Sequence, residues 1–255
     1  MFGKLKKIAA VIAAAAICLT VAAAPVSAAE KKSVWSETKA LTTAKYNSKY
    51  IKWLEKYSEK EAKNTVTYSK SRTKKFVDKI DTKLSKDGSE FSFYMINKES
   101  ILAAARKDDK FKIVSYDKDM PVNIVLYADK DNETMLIVED KLKISTDMSS
   151  DYTPEYGYLA IADALDPDVK ADAKGKFFKF KSDDKTYYYE EFESKEFGSM
   201  GYLFNEKGTP IAMGVGGDFY CIKLSYSADA SEFKIPKEYK EADMDELVDL
   251  LDKLS

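Results

Sequence analysis

The stretch KFFKFKSDDKTYYYEEFES, residues 176–194, decides the fold class. Apolar and polar side chains alternate through KFFKFKS (176–182), and aromatic side chains crowd KTYYYEEFES (185–194). A period of two is typical of β-strands, and the SDD sequence between the two runs is ordinary turn chemistry. The stretch therefore predicts a β-hairpin.

The tyrosines and glutamates of the second strand divide between its two faces, because neighbouring side chains in a strand point in opposite directions. One face carries Tyr187, Tyr189, Glu191 and Glu193, and the other carries Tyr188, Glu190 and Phe192. Glycoside hydrolysis needs two carboxylates on facing walls about 5–10 Å apart, so Glu190 and Glu191 are not a catalytic pair. We expect sheet structure here rather than a dedicated sugar platform, with helices covering one face and aromatic cross-strand contacts the other.

The same alternation continues on both sides of this hairpin. Strands are predicted at 90–96, 99–106, 110–116, 121–128, 133–138, 141–146, 199–206, 209–215, 218–226 and 231–235. The links between them are short and polar, which is typical of an antiparallel meander. The GVGG sequence at 214–217 lies between two strands and is therefore a hairpin turn rather than a phosphate-binding loop.

Helical periodicity appears outside these strands. Helices are predicted at 47–63, 71–86 and 154–166 and from Asp243 onward, and Tyr50, Trp53, Leu54 and Tyr57 form an apolar stripe on the first. The predicted organisation is a signal peptide at 1–28, a basic helical segment at 29–88, a sheet domain at 89–240 with the helical insertion, and a C-terminal helix at 241–255.

The first 28 residues predict export. Lys4, Lys6 and Lys7 precede an apolar run from Ile8 to Ala24, and Val26-Ser27-Ala28 is a small-residue cleavage site. The alternative is an uncleaved anchor, although seventeen residues are short for a span of about 20. We expect a protein that is secreted or held at the outer side of the cell envelope, as in bacterial export. The remaining chain has one cysteine, Cys221, which excludes an intramolecular disulfide and predicts a small buried residue in a strand.

The chain contains no histidine, which excludes Ser-His-Asp and Cys-His nucleophilic sites and imidazole metal sites. We therefore predict a protein that is not an enzyme and has no cofactor and no metal site. A glycan-cleaving enzyme remains an alternative, which needs paired carboxylates in a cleft. No basic patch carries interleaved aromatics over the sheet, so no nucleic-acid partner is expected.

Charge is unevenly distributed along the chain. Residues 31–86 hold 16 Lys and Arg against 6 Asp and Glu, whereas residues 87–255 hold 22 against 36. One interpretation is an extracellular interaction or sensor module, whose basic N-terminal segment docks on an anionic cell-wall polymer or membrane surface. The other is that this segment packs on the acidic body of the same chain or forms a solvated helical face.

Three stretches together carry a resemblance to a known superfamily. They are ILAAARKDDKFKIV (101–114), the run from YYYEEFES through GYLFNEKGTPIAMGV to FYCIKLSYS (187–227), and ASEFKIPKEYK (230–240). Across residues 76–240 the chain resembles the LolA-like superfamily of outer-membrane lipoprotein carriers and mycobacterial lipid carriers. The resemblance implies that Phe233 and Ile235 point inward and that Pro236 closes the last strand.

The resemblance implies an α+β fold, in which a strongly curved antiparallel sheet forms an open half-barrel around amphipathic helices. It further implies a non-enzymatic binding protein that holds a lipid or lipoprotein-like ligand between sheet and helices. The strands of this chain are rich in Lys, Asp and Glu and show no unusually apolar pocket, which departs from the carriers. Strand positions with apolar neighbours at i±2 give the candidate lining residues Ile124, Leu126, Phe178, Tyr188, Phe192, Met213, Ile222 and Leu224.

Overall fold

The structure is a computed structural model. It describes residues 46–84, 89–108, 110–117, 124–128, 133–137, 142–145, 165–194, 198–233 and 240–242. The predicted signal peptide, the predicted C-terminal helix from Asp243, and all but the last two residues of the predicted helical insertion lie outside the described residues.

Two α-helices are described, and both were predicted from periodicity. They are α1 (Ser48–Ser58) and α2 (Arg72–Leu84), and short 3-10 helices lie at Tyr68–Lys70 and Ala230–Phe233. The described strands are β1 (Asn64–Thr67), β2 (Phe91–Ile96), β3 (Ser100–Lys107), β4 (Lys110–Asp117), β5 (Ile124–Ala128), β6 (Glu133–Ile137), β7 (Leu142–Ser145), β8 (Lys174–Ser182), β9 (Lys185–Ser194), β10 (Gly198–Phe204), β11 (Pro210–Val215), β12 (Asp218–Ser225) and β13 (Lys240–Ala242).

The described strands form one large sheet that is not closed. Its order is β1-β8-β9-β10-β11-β12-β2-β3-β4-β5-β6-β7-β13. Two meanders, β2 to β7 and β8 to β12, are joined where β12 pairs with β2, and the pairing is antiparallel except between β7 and β13. The predicted combination of an open antiparallel sheet with helices is confirmed at this level.

The turns that close two hairpins explain why their register is fixed. Asp183 and Asp184 between β8 and β9 have φ of 48° and 60°, and Gly216 and Gly217 between β11 and β12 have φ of 60° and 99°. Two successive residues at positive φ give the turn whose twist matches that of paired strands. Gly216 and Gly217 belong to the GVGG sequence, so its assignment as a hairpin turn is confirmed.

Two segments differ from prediction. The predicted strand at 231–235 is wrong over its described residues 231–233, because Ala230–Phe233 is a 3-10 helix, with Ser231 N–H donating to the Asp229 side chain at 2.8 Å. Asp229 and Glu232 have the spacing of a capping box, which favours a helical start over a strand. Residues 240–242 form strand β13, at the point where a C-terminal helical segment was expected.

The two helices lie on opposite faces of the sheet. On one face, Ile51, Leu54 and Tyr57 of α1 form a buried cluster with side chains that include Tyr187 and Tyr189 of β9. On the other face, Phe76 of α2 contacts Tyr202 of β10, which pairs in register with Glu190. We call these the α1 face and the α2 face. The expectation that helices cover only one face of β9 is wrong, because each face carries one helix.

Candidate functional site

The predicted lining residues fall mainly on the α2 face. Cross-strand partners share a face of a sheet, so the register can be followed from strand to strand. Phe192 pairs with Met200, and Tyr202 pairs with Met213. Met213 pairs with Tyr220, which places Ile222 and Leu224 on the same face, together with Tyr188. Ile124 and Leu126 pair with Ser115 and Ile113 in the register, but their side chains lie outside the described part of the chain.

Phe178 is the exception among the predicted residues. It pairs with Tyr189 in the register and therefore lies on the α1 face. Its ring centroid is 4.9 Å from that of Tyr57 in α1. The structure thus brings five described candidates together on the α2 face and separates Phe178 from them.

Apolar side chains continue along the α2 face from β9 to β4. Phe192, Met213 and Ile222 are buried, whereas Tyr188 and Leu224 are only partly buried. The register extends the same face through Phe93 and Met95 of β2 to Phe111 and Ile113 of β4, and all four are buried. Helix α2 begins over β9 and β10 of this face.

The segments that flank α2 on this face are held to it by polar as well as aromatic contacts. Tyr68, just before α2, meets the Phe192 ring edge-on at 5.2 Å, and the Tyr202 hydroxyl donates to the Leu165 backbone oxygen at 2.8 Å. Burial raises the pKa of both Tyr68 and Tyr202, and the carboxylate of Asp166 acts in the same direction. These hydroxyls stay protonated and serve as structural hydrogen-bond groups.

Glu190 is fully buried and caps the N-terminus of α2. Its carboxylate accepts from the Arg72 N–H at 3.1 Å, the Thr73 N–H at 2.9 Å and the Thr73 hydroxyl at 3.0 Å. The Arg72 guanidinium lies 3.4 Å from it, and the Lys74 N–H donates to the Ser71 hydroxyl at 2.9 Å. The first N–H groups of a helix lack partners within the helix. A strand residue therefore satisfies two of them and places its charge at the positive end of the helix dipole.

Glu191 points to the other side of the sheet, as predicted. Lys176 Nζ lies 2.6 Å from its carboxylate, and the Tyr189 hydroxyl donates to it. Burial raises the pKa of Tyr189, with Glu191 as the next cause. Glu190 and Glu191 are therefore separated by the sheet, and each is held by structural partners.

The α1 face carries an aromatic network that the sequence analysis treated only as a core stripe. The Trp53 ring lies 5.1 Å from Phe180 and 4.7 Å from Tyr187, and Tyr57 stacks on Phe180 at 4.6 Å. Trp53, Phe178 and Phe180 are only partly buried. Lysines lie over these rings: Lys49 is 5.0 Å from the Trp53 centroid and Lys60 is 5.7 Å from that of Phe178. Interleaved lysines and phenylalanines in β8 were the available sequence signal for this surface.

Cys221 has a structural role under the same helix. It is buried, its Sγ accepts from the Asn47 N–H at 3.3 Å, and burial raises the pKa of its thiol. The prediction of a small buried strand residue is confirmed.

Within the described ranges, no group of three or more Cys, Asp or Glu side chains is arranged to hold a metal ion. In the acidic loop before β8, the Asp166 carboxylate accepts hydrogen bonds from the Tyr68 hydroxyl and from the Asp168 N–H.

None of the helices that the structure describes is both long and apolar enough to cross a membrane.

Comparison with known proteins gives a structural neighbour without a function. No protein-family model matches the sequence, and no curated protein matches it. A crystal structure of an uncharacterized conserved protein from Thermus thermophilus is similar, at 7% sequence identity and a TM-score of 0.35. The match covers 68% of this chain and 99% of that one.

Proposed function

We propose that this protein is an exported, non-enzymatic binding protein that holds an apolar or amphipathic ligand, such as a lipid or a lipoprotein acyl group, against the α2 face. The observation that carries the proposal is the mostly apolar α2 face from β9 to β4, which also carries Glu190 and Arg106. The resemblance to LolA-like carriers adds a curved half-barrel sheet to the proposal, with the ligand between sheet and helices.

The occupied carboxylates support a role without bond cleavage. Glu190 is used as a helix cap and Glu191 as an ion-pair partner, on opposite faces. A hydrolytic pair would have to face one shared cleft. The aromatic and aliphatic residues of the α2 face offer contact area and no reacting group.

Leu224 marks the position where a ligand would meet this face. On the α2 face of β12, Leu224 is partly buried and follows the buried Ile222. Close by in the sequence, the Tyr226 ring centroid lies 4.8 Å from Nζ of Lys79 in α2. An acyl chain along the β12 and β2 rows would lie beside α2, and its polar end would meet the lysines of that helix.

Titration with a fluorescent fatty-acyl probe tests the proposal. Leu224→Gln is expected to weaken probe binding about tenfold, because one apolar side chain contributes about 1.5 kcal/mol when buried. The matched control is Lys223→Gln, whose side chain is exposed on the other face of the same strand, and we expect it to leave the affinity unchanged. Failure of the wild-type protein to bind the probe, or equal losses in both variants, would count against an acyl-binding α2 face.

A further inference from the structure

A surface on the opposite side of the sheet combines flat aromatic rings with lysines. Positions 49, 53 and 56 of α1 follow the i, i+4, i+7 spacing of one helical stripe, and position 60 lies two residues beyond the end of the helix. They are Lys49, Trp53, Lys56 and Lys60, and Phe178 and Phe180 of β8 lie beside them. We call these six residues the lysine–aromatic surface.

The rings of this surface are left partly exposed, in contrast to those under α2. Trp53, Phe178 and Phe180 are partly buried, whereas Phe76, Ile80 and Leu84 of α2 are buried. A contiguous exposed patch of large apolar side chains marks an interaction site more often than a leftover of the core. The patch is rigid, because each of its rings contacts at least one other ring.

The charge around these rings is positive, although the whole chain carries a net charge of −2. Residues 46–60 and 174–187 together contain nine lysines and four acidic residues. Lys49 pairs with Asp183, and their side chains are 43% and 71% exposed. An exposed pair of this kind contributes little stability, so Lys49 can exchange Asp183 for an anion of a ligand.

We propose that the lysine–aromatic surface binds an anionic glycan chain, with sugar units packed against the accessible margins of Trp53 and Phe180 and carboxylate or phosphate groups paired with the lysines. From Lys49 to Lys56 the surface runs about 10 Å along the helix, and Lys60 extends it beyond the helix end, which suits a short run of sugar units. This site uses neither the α2 face nor an acyl ligand, so it stands independently of the function proposed above.

The geometry favours a glycan over a membrane. An interfacial helix inserts its apolar face into the lipid boundary. In α1 the most apolar side chains, Ile51 and Leu54, are instead buried against the sheet. What remains accessible is the margin of the rings, with ammonium groups 5.0 to 5.7 Å from three ring centroids. Such a surface matches a ligand that is itself flat, polar at its edges and charged.

Calorimetric titration of the protein expressed from its full-length sequence tests this proposal. The probes are polygalacturonate, which carries carboxylates, and phosphomannan, which carries phosphates; neutral mannan and polyacrylate are the controls. We expect one or both anionic glycans to bind, and binding to weaken as salt rises. Neutral mannan should bind more weakly because it lacks charge, and polyacrylate because it lacks rings.

Variants separate this surface from general charge effects. Trp53→Ala is expected to weaken glycan binding about tenfold, as truncation of a central aromatic anchor does. The double variant Lys56→Gln/Lys60→Gln removes two exposed ammonium groups and leaves the core unchanged. It therefore measures the contribution of this surface to glycan affinity even if Trp53→Ala folds poorly. The control pair Lys75→Gln/Lys110→Gln removes the same charge at exposed positions elsewhere and should leave binding unchanged.

Three results would overturn the proposal. The first is no binding of either anionic glycan. The second is equal binding of polyacrylate, or equal losses in the control pair, which would reduce the interaction to net charge. The third is binding to phosphatidylglycerol vesicles but not to glycans, with the same dependence on Trp53, which would assign the surface to a membrane.

Discussion

Removing the Glu190 carboxylate tests whether this glutamate is a structural cap. Glu190→Ala leaves the partly buried N–H of Arg72 and the buried N–H and hydroxyl of Thr73 without their acceptor. Each buried donor that loses its partner costs about 1–3 kcal/mol. Helix α2 would also lose the negative charge at its N-terminus, which contributes about 0.3–1 kcal/mol. These contributions sum to about 3–10 kcal/mol, so we expect the free energy of unfolding to fall by at least about 3 kcal/mol, a large part of the roughly 5–15 kcal/mol typical of a domain.

The series Glu190→Ala, Glu190→Gln and Glu193→Gln makes this expectation quantitative. Glutamine keeps one acceptor oxygen but turns an NH₂ group toward backbone donors, so its cost should be intermediate, about 1–3 kcal/mol. Glu193 is an exposed residue of the same strand, and its replacement should change stability by less than about 0.5 kcal/mol.

Urea unfolding at neutral pH measures the series. We expect the midpoint to fall in the order Glu193→Gln, Glu190→Gln, Glu190→Ala, with similar denaturant slopes. Near-wild-type stability of both Glu190 variants would refute the capping argument. An increase in stability would indicate a carboxylate retained for chemistry, since functional residues are often kept at a cost in stability.

Three further predictions concern the core. Burial raises the pKa of Tyr189 and Tyr202 in the folded protein above the value of a tyrosine in the unfolded chain. The free energy of unfolding therefore keeps their full contribution below about pH 10. Above that pH it falls by about 1.4 kcal/mol per pH unit for each tyrosine, because only the unfolded chain loses the proton. Absorbance titration should show these tyrosines ionising only together with unfolding; smooth titration of every tyrosine in folded protein would contradict this. Cys221 should resist a thiol reagent until the protein is denatured, and rapid reaction of the native protein would contradict its burial. Gly175→Ala should lower the free energy of unfolding by about 1–3 kcal/mol. The reason is that the added Cβ would press on the Glu191 backbone oxygen and lie 2.6 Å from the Phe192 ring. An unchanged urea midpoint would contradict this, since it would show that the contact between β8 and β9 relaxes freely.

Local sequence determined much of this architecture. The Tyr50, Trp53, Leu54 and Tyr57 stripe placed α1, and alternation with turn residues placed most of the strands, because both signals come from neighbouring residues. The Asp183-Asp184 turn needed no tertiary information, since asparagine and aspartate tolerate positive φ.

Long-range pairing was beyond local reasoning. The short strand β1 is polar and largely exposed, and it forms only because β8 offers its edge. The pairing of β12 with β2 joins segments more than 120 residues apart, and neither carries a local signal for the other.

Only part of the candidate site could be predicted, again because long-range contacts carry no local signal. The search for strand positions with apolar neighbours at i±2 selected five described residues that share one face of the sheet. It does not tell which face of a strand a distant helix covers, and Phe178, which lies on the other face, was therefore selected with them. The capping role of Glu190 depends on Ser71, Arg72 and Thr73, which lie more than 115 positions earlier. The capping-box spacing of Asp229 and Glu232, by contrast, was a local signal and outweighs the alternating pattern that favoured a strand.

Native mass spectrometry of the protein expressed with its N-terminal segment in a bacterial host, followed by organic extraction, is the decisive test of the proposed binding function. We predict a species heavier than the polypeptide by the mass of an acyl lipid, lost on extraction and restored when the lipid is added back. We also predict that the polypeptide mass equals that of a chain beginning at Ala29, as cleavage after Ala28 requires. A polypeptide without added mass, which takes up no acyl lipid at any concentration below micelle formation, would contradict the proposed function.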